Sequence, residues 1–143
     1  MTERYVSFEI ARLLKEKGFD EQCIMFYNNN ELVPCVTLQS VKENASCAFN
    51  SWLYKGDYAA PTHQLVLKWL REAKNFLITI SPCACNLNWY YPTVYYLGLD
   101  VEGGGMIWKE YYINRFGTGG GDFFAIYEDA EEAAIKYVLE NLL

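Results

Sequence analysis

Few residues in this chain of 143 have types and spacing that could do chemistry. Cys83 and Cys85 form the tightest thiol pair, and a Zn2+ ion held there needs two more ligands from Cys47, His63, Cys23 or Cys35. No second pair has finger-like spacing, so the two read as buried or turn cysteines and no metal is expected. His63 is the single histidine. A general base needs a positioned partner, and in the first turn of a helix with an exposed end His63 reads as a surface residue. Gly103-Gly104-Gly105 and the run Gly117, Gly119, Gly120, Gly121 could aim backbone N–H groups at an anion. The second run lacks the Lys-Ser/Thr of a P-loop and the strand-to-helix setting of a dinucleotide fingerprint. Both read as hairpin loops, with Gly117 to Gly121 kept as a weak anion-binding candidate. Glu128, Asp129, Glu131 and Glu132 crowd the first turns of a final helix, where negative charge suits the macrodipole, and they make its outer face acidic. No catalytic constellation and no cofactor motif emerges, so the chain is expected not to be an enzyme.

What the sequence has in surplus is aromatic area. Twelve Tyr and four Trp exceed the usual needs of a core this size, and such side chains join an apolar body to a polar tip that suits contact surfaces. The candidate binding residues are Phe49, Trp52, Tyr54 and Tyr58 in a long loop, and Tyr95, Tyr96, Trp108, Tyr111 and Tyr112 in a Tyr-rich run of strands. They point to a small non-catalytic module that binds a protein partner or another copy of itself. The alternative from another class is a small-ligand site, for a nucleotide-like signal sequestered in anti-defence or for an unrecognised enzyme. There the aromatics would stack beside Arg71, Lys109 or Arg115 and the later glycine loop would take the anion.

Charge and hydropathy narrow the partners. A net charge of −6 without a Lys/Arg run repels a phosphate backbone, so duplex nucleic acid is not expected. No apolar run approaches the ~20 residues that span a bilayer, and charges interrupt the N-terminal segment where a signal peptide needs an apolar stretch. A cytoplasmic protein away from the membrane is expected. Its five cysteines then read as free buried thiols rather than a disulfide framework.

The elements that must position these residues follow from periodicity. Ser7 caps a helix to about Lys17 with Ile10, Leu13 and Leu14 inward and Gly18 ending it. Cys23 to Asn28 and Leu32 to Leu38 form a hairpin around asparagines that tolerate positive φ, with Pro34 placing the second strand at an edge. Residues 40–59 hold no period and read as an aromatic loop, functional or hiding a short helix. Thr62 caps a central helix whose stripe is Leu65, Val66, Trp69, Leu70 and Ala73. It runs into a strand from Phe76 to Ser81, then strands Trp89 to Asp100 and Ile107 to Arg115, then a helix Glu128 to Leu142 with Ala130, Ala133, Ala134, Tyr137, Val138 and Leu142 inward. The expected fold is α+β: helix, β-hairpin, then helix, three-stranded antiparallel meander and helix, with helices packed on one face of the sheet. Residues 1–143 are expected to form a single domain, with an α-β-β region over residues 1–39, the loop 40–59 and an α-β-β-β-α region over residues 60–143.

From Thr62 to Leu142 this order resembles the topology of a double-stranded-RNA-binding domain, and DAEEAAIKYVLENLL resembles its Ala-rich second helix. The likeness is of topology only, because acids stand where that family carries a basic cluster. VSFEIARLLKEKGFDE (Val6 to Glu21), APTHQLVLKWLRE (Ala60 to Glu72) and YEDAEEAAIKYVLENLL (Tyr127 to Leu143) resemble recurring blocks of small proteins encoded by phages and mobile elements of gut Bacteroidales. That resemblance covers about a third of the chain and implies an origin and an element order, but no activity.

Overall fold

A computed structural model describes residues 4–35, 49–83, 86–100, 102–111 and 123–143. The fold is α+β, with three α-helices and two three-stranded antiparallel sheets among the described residues. The chain divides into two compact units, Met1–Leu65 with Leu139–Leu143, and Val66–Val138. Among the described residues no helix is long and apolar enough to cross a membrane.

In the first unit α1 (Phe8–Glu16) starts where the Ser7 hydroxyl accepts the Ile10 N–H at 3.3 Å. It buries Ile10, Ala11, Leu13 and Leu14 and ends at Gly18, whose φ of 88° favours a residue without Cβ. β1 (Met25–Asn28) pairs with β2 (Glu31–Pro34) through a two-residue turn. Asn29 and Asn30 both have positive φ, 50° and 65°, as the commonest hairpin turn requires. Pro34 sits on an edge strand, where its missing N–H costs no ladder bond. An unexpected strand, β3 (Tyr58–Ala59), two residues of the aromatic loop, pairs with β1 and completes the order β2-β1-β3. Two residues are too few to show a strand period.

In the second unit β4 (Phe76–Cys83), β5 (Asn86–Leu99) and β6 (Met106–Tyr111) form an antiparallel meander. α2 (His63–Ala73), capped by the Thr62 hydroxyl on the Leu65 N–H at 3.3 Å, leads into it through Asn75 at φ 61°. Val66, Trp69 and Leu70 of α2 are buried, whereas Leu65 is half-buried and Ala73 exposed. The expected stripe is therefore narrower than drawn. α3 (Tyr127–Tyr137) lies against β4 and β5, on the face that carries Ile78 and Val94, where the Tyr127 ring meets Tyr90 edge-on at 5.5 Å.

Pro92 stands inside the central strand, opposite Ile80. Ladder bonds alternate sides along an antiparallel strand. Leu97 donates to Asn75 on the β4 side, while Tyr90 exchanges both bonds with Phe124 on the other. From Tyr90 onward, even-numbered residues of β5 thus turn their N–H away from β4. The missing N–H of Pro92 falls between the pairs Val94–Tyr111 and Tyr90–Phe124, where the described ladder has no rung.

α3 is rotated by one column from the expectation. Ala130 and Ala134, with Val138 in the π-helical turn Val138–Leu142 that follows, are buried as expected, but the second buried column is Glu131, Ile135 and Leu139 in place of Ala133 and Tyr137. Burying two large aliphatic side chains is worth about 1.5–3 kcal/mol each. That outweighs drawing one carboxylate inward, since among the described residues no buried polar side-chain atom lacks a hydrogen-bond partner. Glu131, at 2% exposure, is thus not on an acidic outer face.

Candidate functional site

The segment Phe49 to Ala59 is the strongest candidate, because it is held from several sides and still exposes large aromatics. Asn50 begins a single 3-10 turn, Asn50–Trp52, and its buried side chain works in both directions. Its Nδ2 donates to the Phe19 carbonyl at 2.8 Å and its Oδ1 accepts the Ala59 N–H at 2.9 Å. The Ser51 N–H donates to Asp20 Oδ1 at 2.8 Å. Further on, Lys15 Nζ donates to the carbonyls of Tyr54 and Asp57 at 3.2 and 2.9 Å, and Asn28 Nδ2 reaches both Asp57 carboxylate oxygens at 3.3 Å. Gly56, at φ 95°, closes the bend. On this braced frame Trp52 is 66% exposed and Tyr54 85%.

The four loop candidates therefore differ. Phe49 is half-buried and its ring lies 4.5 Å from Trp52, backing it. Tyr58 is half-buried against Phe8 at 5.4 Å, with Lys15 Nζ 5.5 Å from its ring centre. It is a packing residue. Trp52 and Tyr54 are the pair free to touch something else. Asn50, which holds them out, was not singled out from sequence, its only signal being polarity amid an aromatic run, and Lys15 read only as part of the solvated face of α1.

The second unit carries its own aromatic face. Register places Tyr95 opposite Glu110, Leu97 opposite Trp108 and Leu99 opposite Met106, all on the side away from Ile78 and Val94. Leu99 and Met106 are 66% and 55% exposed, and Trp89, Tyr91 and Trp108 are exposed too. Phe123 stands by Trp89 and Tyr91 at 5.9 and 6.1 Å. Tyr95 and Trp108 thus share a face, while Tyr96 lies on the opposite one beside Lys109. Trp89 and Tyr91 were missed, although carrying the strand alternation back from Tyr95 leads to both. The side chain of Tyr111, and Tyr112, Arg115 and Gly117, Gly119, Gly120 and Gly121, lie outside the described residues.

The groups with chemical potential are otherwise engaged. His63 is 2% exposed, not a surface residue. The segment Arg4 to Val6 pairs alongside the start of α2, with Val6 N–H on Pro61 O and His63 N–H on Arg4 O, both at 3.0 Å. A helix end that looked free from sequence is thereby lined by chain from far upstream. In the first glycine loop Asp100 supplies the anion itself. Its carboxylate accepts the Glu102 N–H at 3.1 Å, its carbonyl accepts the Gly104 N–H at 2.9 Å, and a Cβ at Gly103 would collide with it. Cys23 and Cys35 are buried and not disulfide-bonded, their thiols donating to the Glu21 and Cys23 carbonyls, but Cys83 is disulfide-bonded, against the expectation of five reduced thiols. Cys47 and Cys85 lie outside the described residues. Among the described residues no group of three or more His, Cys, Asp or Glu could hold a metal ion. Tyr127 has its phenol pushed above the ordinary tyrosine range, by burial first and then by the carboxylates of Glu131 and Glu128.

No family model, no curated protein and no solved structure matches the chain.

Proposed function

We propose that the chain is a small non-catalytic interaction module that binds a protein partner through Trp52 and Tyr54. The supporting observation is the braced loop. Two large aromatics are exposed on a frame tied to α1, β1 and β3, so they lose little freedom on binding. Exposed aromatics of this kind are the residues that dominate protein interfaces. Asp20, Glu21 and Lys55 of the same region are exposed, which with the overall charge of −6 disfavours duplex nucleic acid as the target. An origin in a phage or mobile element belongs to the same proposal and rests on the three sequence blocks. So does a cytoplasmic location: the buried, non-disulfide Cys23 and Cys35 fit it, whereas a disulfide at Cys83 is a bond that a reducing cytosol opposes.

The test compares partners retained from host lysate by the wild-type chain and by a Trp52→Ala/Tyr54→Ala variant. A hot-spot aromatic costs about 2 kcal/mol or more when truncated, so a partner held through this pair should weaken by at least about 30-fold. If both chains retain the same proteins equally, the loop is not the contact.

A further inference from the structure

The described strand edges are not equally guarded. β2 ends in Pro34, β4 carries Pro82 with a bulge beside it, and β3 is two residues long. These are the usual devices against unwanted strand pairing. β6 has neither proline nor bulge, and among the described residues it pairs with β5 alone. Its apolar side chains are exposed on both faces, Met106 and Trp108 on one and Ile107 on the other. An edge lysine commonly blocks pairing, but here the Lys109 stem is laid back over Gly98 of its own sheet. A Cβ at Gly98 would come within 2.9 Å of Lys109 Cδ.

The hydrogen-bonding pattern fixes which backbone groups this edge offers. Asp100 N–H donates to Gly105 O at 2.7 Å, so alternation turns the odd-numbered residues of β6 toward β5. Met106, Trp108 and Glu110 then present their N–H and C=O outward. We propose that β6 pairs antiparallel with β6 of a second copy, joining two three-stranded sheets into one of six strands across a two-fold axis at Trp108.

The occupant and the register both follow from the side chains. A two-fold axis through a continuous sheet matches residues of equal face, which leaves few pairings. Pairing about Lys109 sets two ammonium groups face to face, and pairing about Glu110 sets two carboxylates so, and like charges directly opposite are destabilising. Pairing about Ile107 or Met106 overlaps less of the strand. Pairing about Trp108 engages all three outward residues, sets Glu110 opposite Met106 and Lys109 opposite Ile107, and puts the two Trp108 side chains together on the aromatic face. Residues 106–110 thus complement themselves. This contact is separate from the loop-borne one, and the two stand or fall independently.

Sedimentation of the wild-type chain should show a dimer that grows from micromolar to millimolar concentration, and Trp108→Pro, which removes an outward N–H, should abolish it with the circular dichroism unchanged. Should that variant not fold, cysteine pairing reads the register. Residues directly opposite in a hydrogen-bonded pair lie about 5.5 Å apart at Cα, within disulfide reach. Trp108→Cys should therefore give a covalent dimer under mild oxidation beyond any wild-type background, and Lys109→Cys should not. A wild-type chain that stays monomeric throughout, or cross-linking as efficient at 109 as at 108, overturns the proposal. Loss of the Trp52-dependent partner with the dimer intact would instead count against the proposed function alone.

Discussion

Truncating Asn50 tests the braced loop most directly. Its amide satisfies two buried backbone groups at once, the Phe19 carbonyl at 2.8 Å and the Ala59 N–H at 2.9 Å, and the residue is 4% exposed. Asn50→Ala leaves both without a partner in a space that excludes water. Each unsatisfied buried group costs about 1–3 kcal/mol, so the variant should lose about 2–6 kcal/mol. At about 2–4 °C per kcal/mol for chains somewhat larger than this one, the melting temperature should fall by roughly 10 °C. Amide exchange separates the intended cause from general damage. In Asn50→Ala the Ala59 amide should exchange much faster, whereas Asn50→Asp keeps an acceptor for it but replaces the donor toward Phe19 with a buried carboxylate oxygen facing that carbonyl. That second variant should be less stable than wild type yet keep Ala59 protected. An Asn50→Ala variant within about 0.5 kcal/mol of wild type, with Ala59 exchange unchanged, would refute the view that this amide holds the loop.

Two further outcomes are expected. Trp69→Ala removes a buried indole from α2 and should cost about 3–5 kcal/mol; equal urea midpoints would mean that the buried face of the helix is wrongly assigned. For Tyr127 the folded phenol ionises at higher pH than the unfolded one, whose value is about 10. Above that pH the unfolded chain gives up the proton first, so the contribution of Tyr127 is intact below about pH 10 and is lost as pH rises past it. Denaturation between neutral and strongly alkaline pH should show Tyr127→Phe losing less stability than wild type in that window, and parallel curves would contradict the shift.

Local chemistry was legible in the sequence wherever one residue type decides a conformation. Ser7 and Thr62 cap their helices, Gly18 ends α1, Asn29 and Asn30 make the hairpin turn, and Pro34 sits at an edge. The meander and its alternation were legible for the same reason, since strand period is a local signal. What escaped depends on residues distant in sequence. His63 is buried because Arg4 to Val6 pair beside it, and Glu131 goes inward because Ile135 and Leu139 outcompete Ala133 and Tyr137 for the buried side. Asn50 acts through partners 31 and 9 residues away. The aromatic candidates were legible as a class but not as individuals: nothing local distinguishes Tyr58, packed on Phe8, from Tyr54, 85% exposed.

The ring of Pro92 also bears on how the meander finds its pairing. A strand that slides by two residues keeps every side chain on its proper face, so hydrophobic patterning alone does not penalise that error. Pro92 does. If β6 slid toward the start of β5, one of its carbonyls would meet a ring carbon where the ladder needs an amide, so the slipped pairing would be a rung short. Pro92 therefore works as a stop against that slip, favouring the register in which β6 meets Val94 through Leu99. Its effect should be sought in the fraction of chains that refold correctly more than in the stability of those that have.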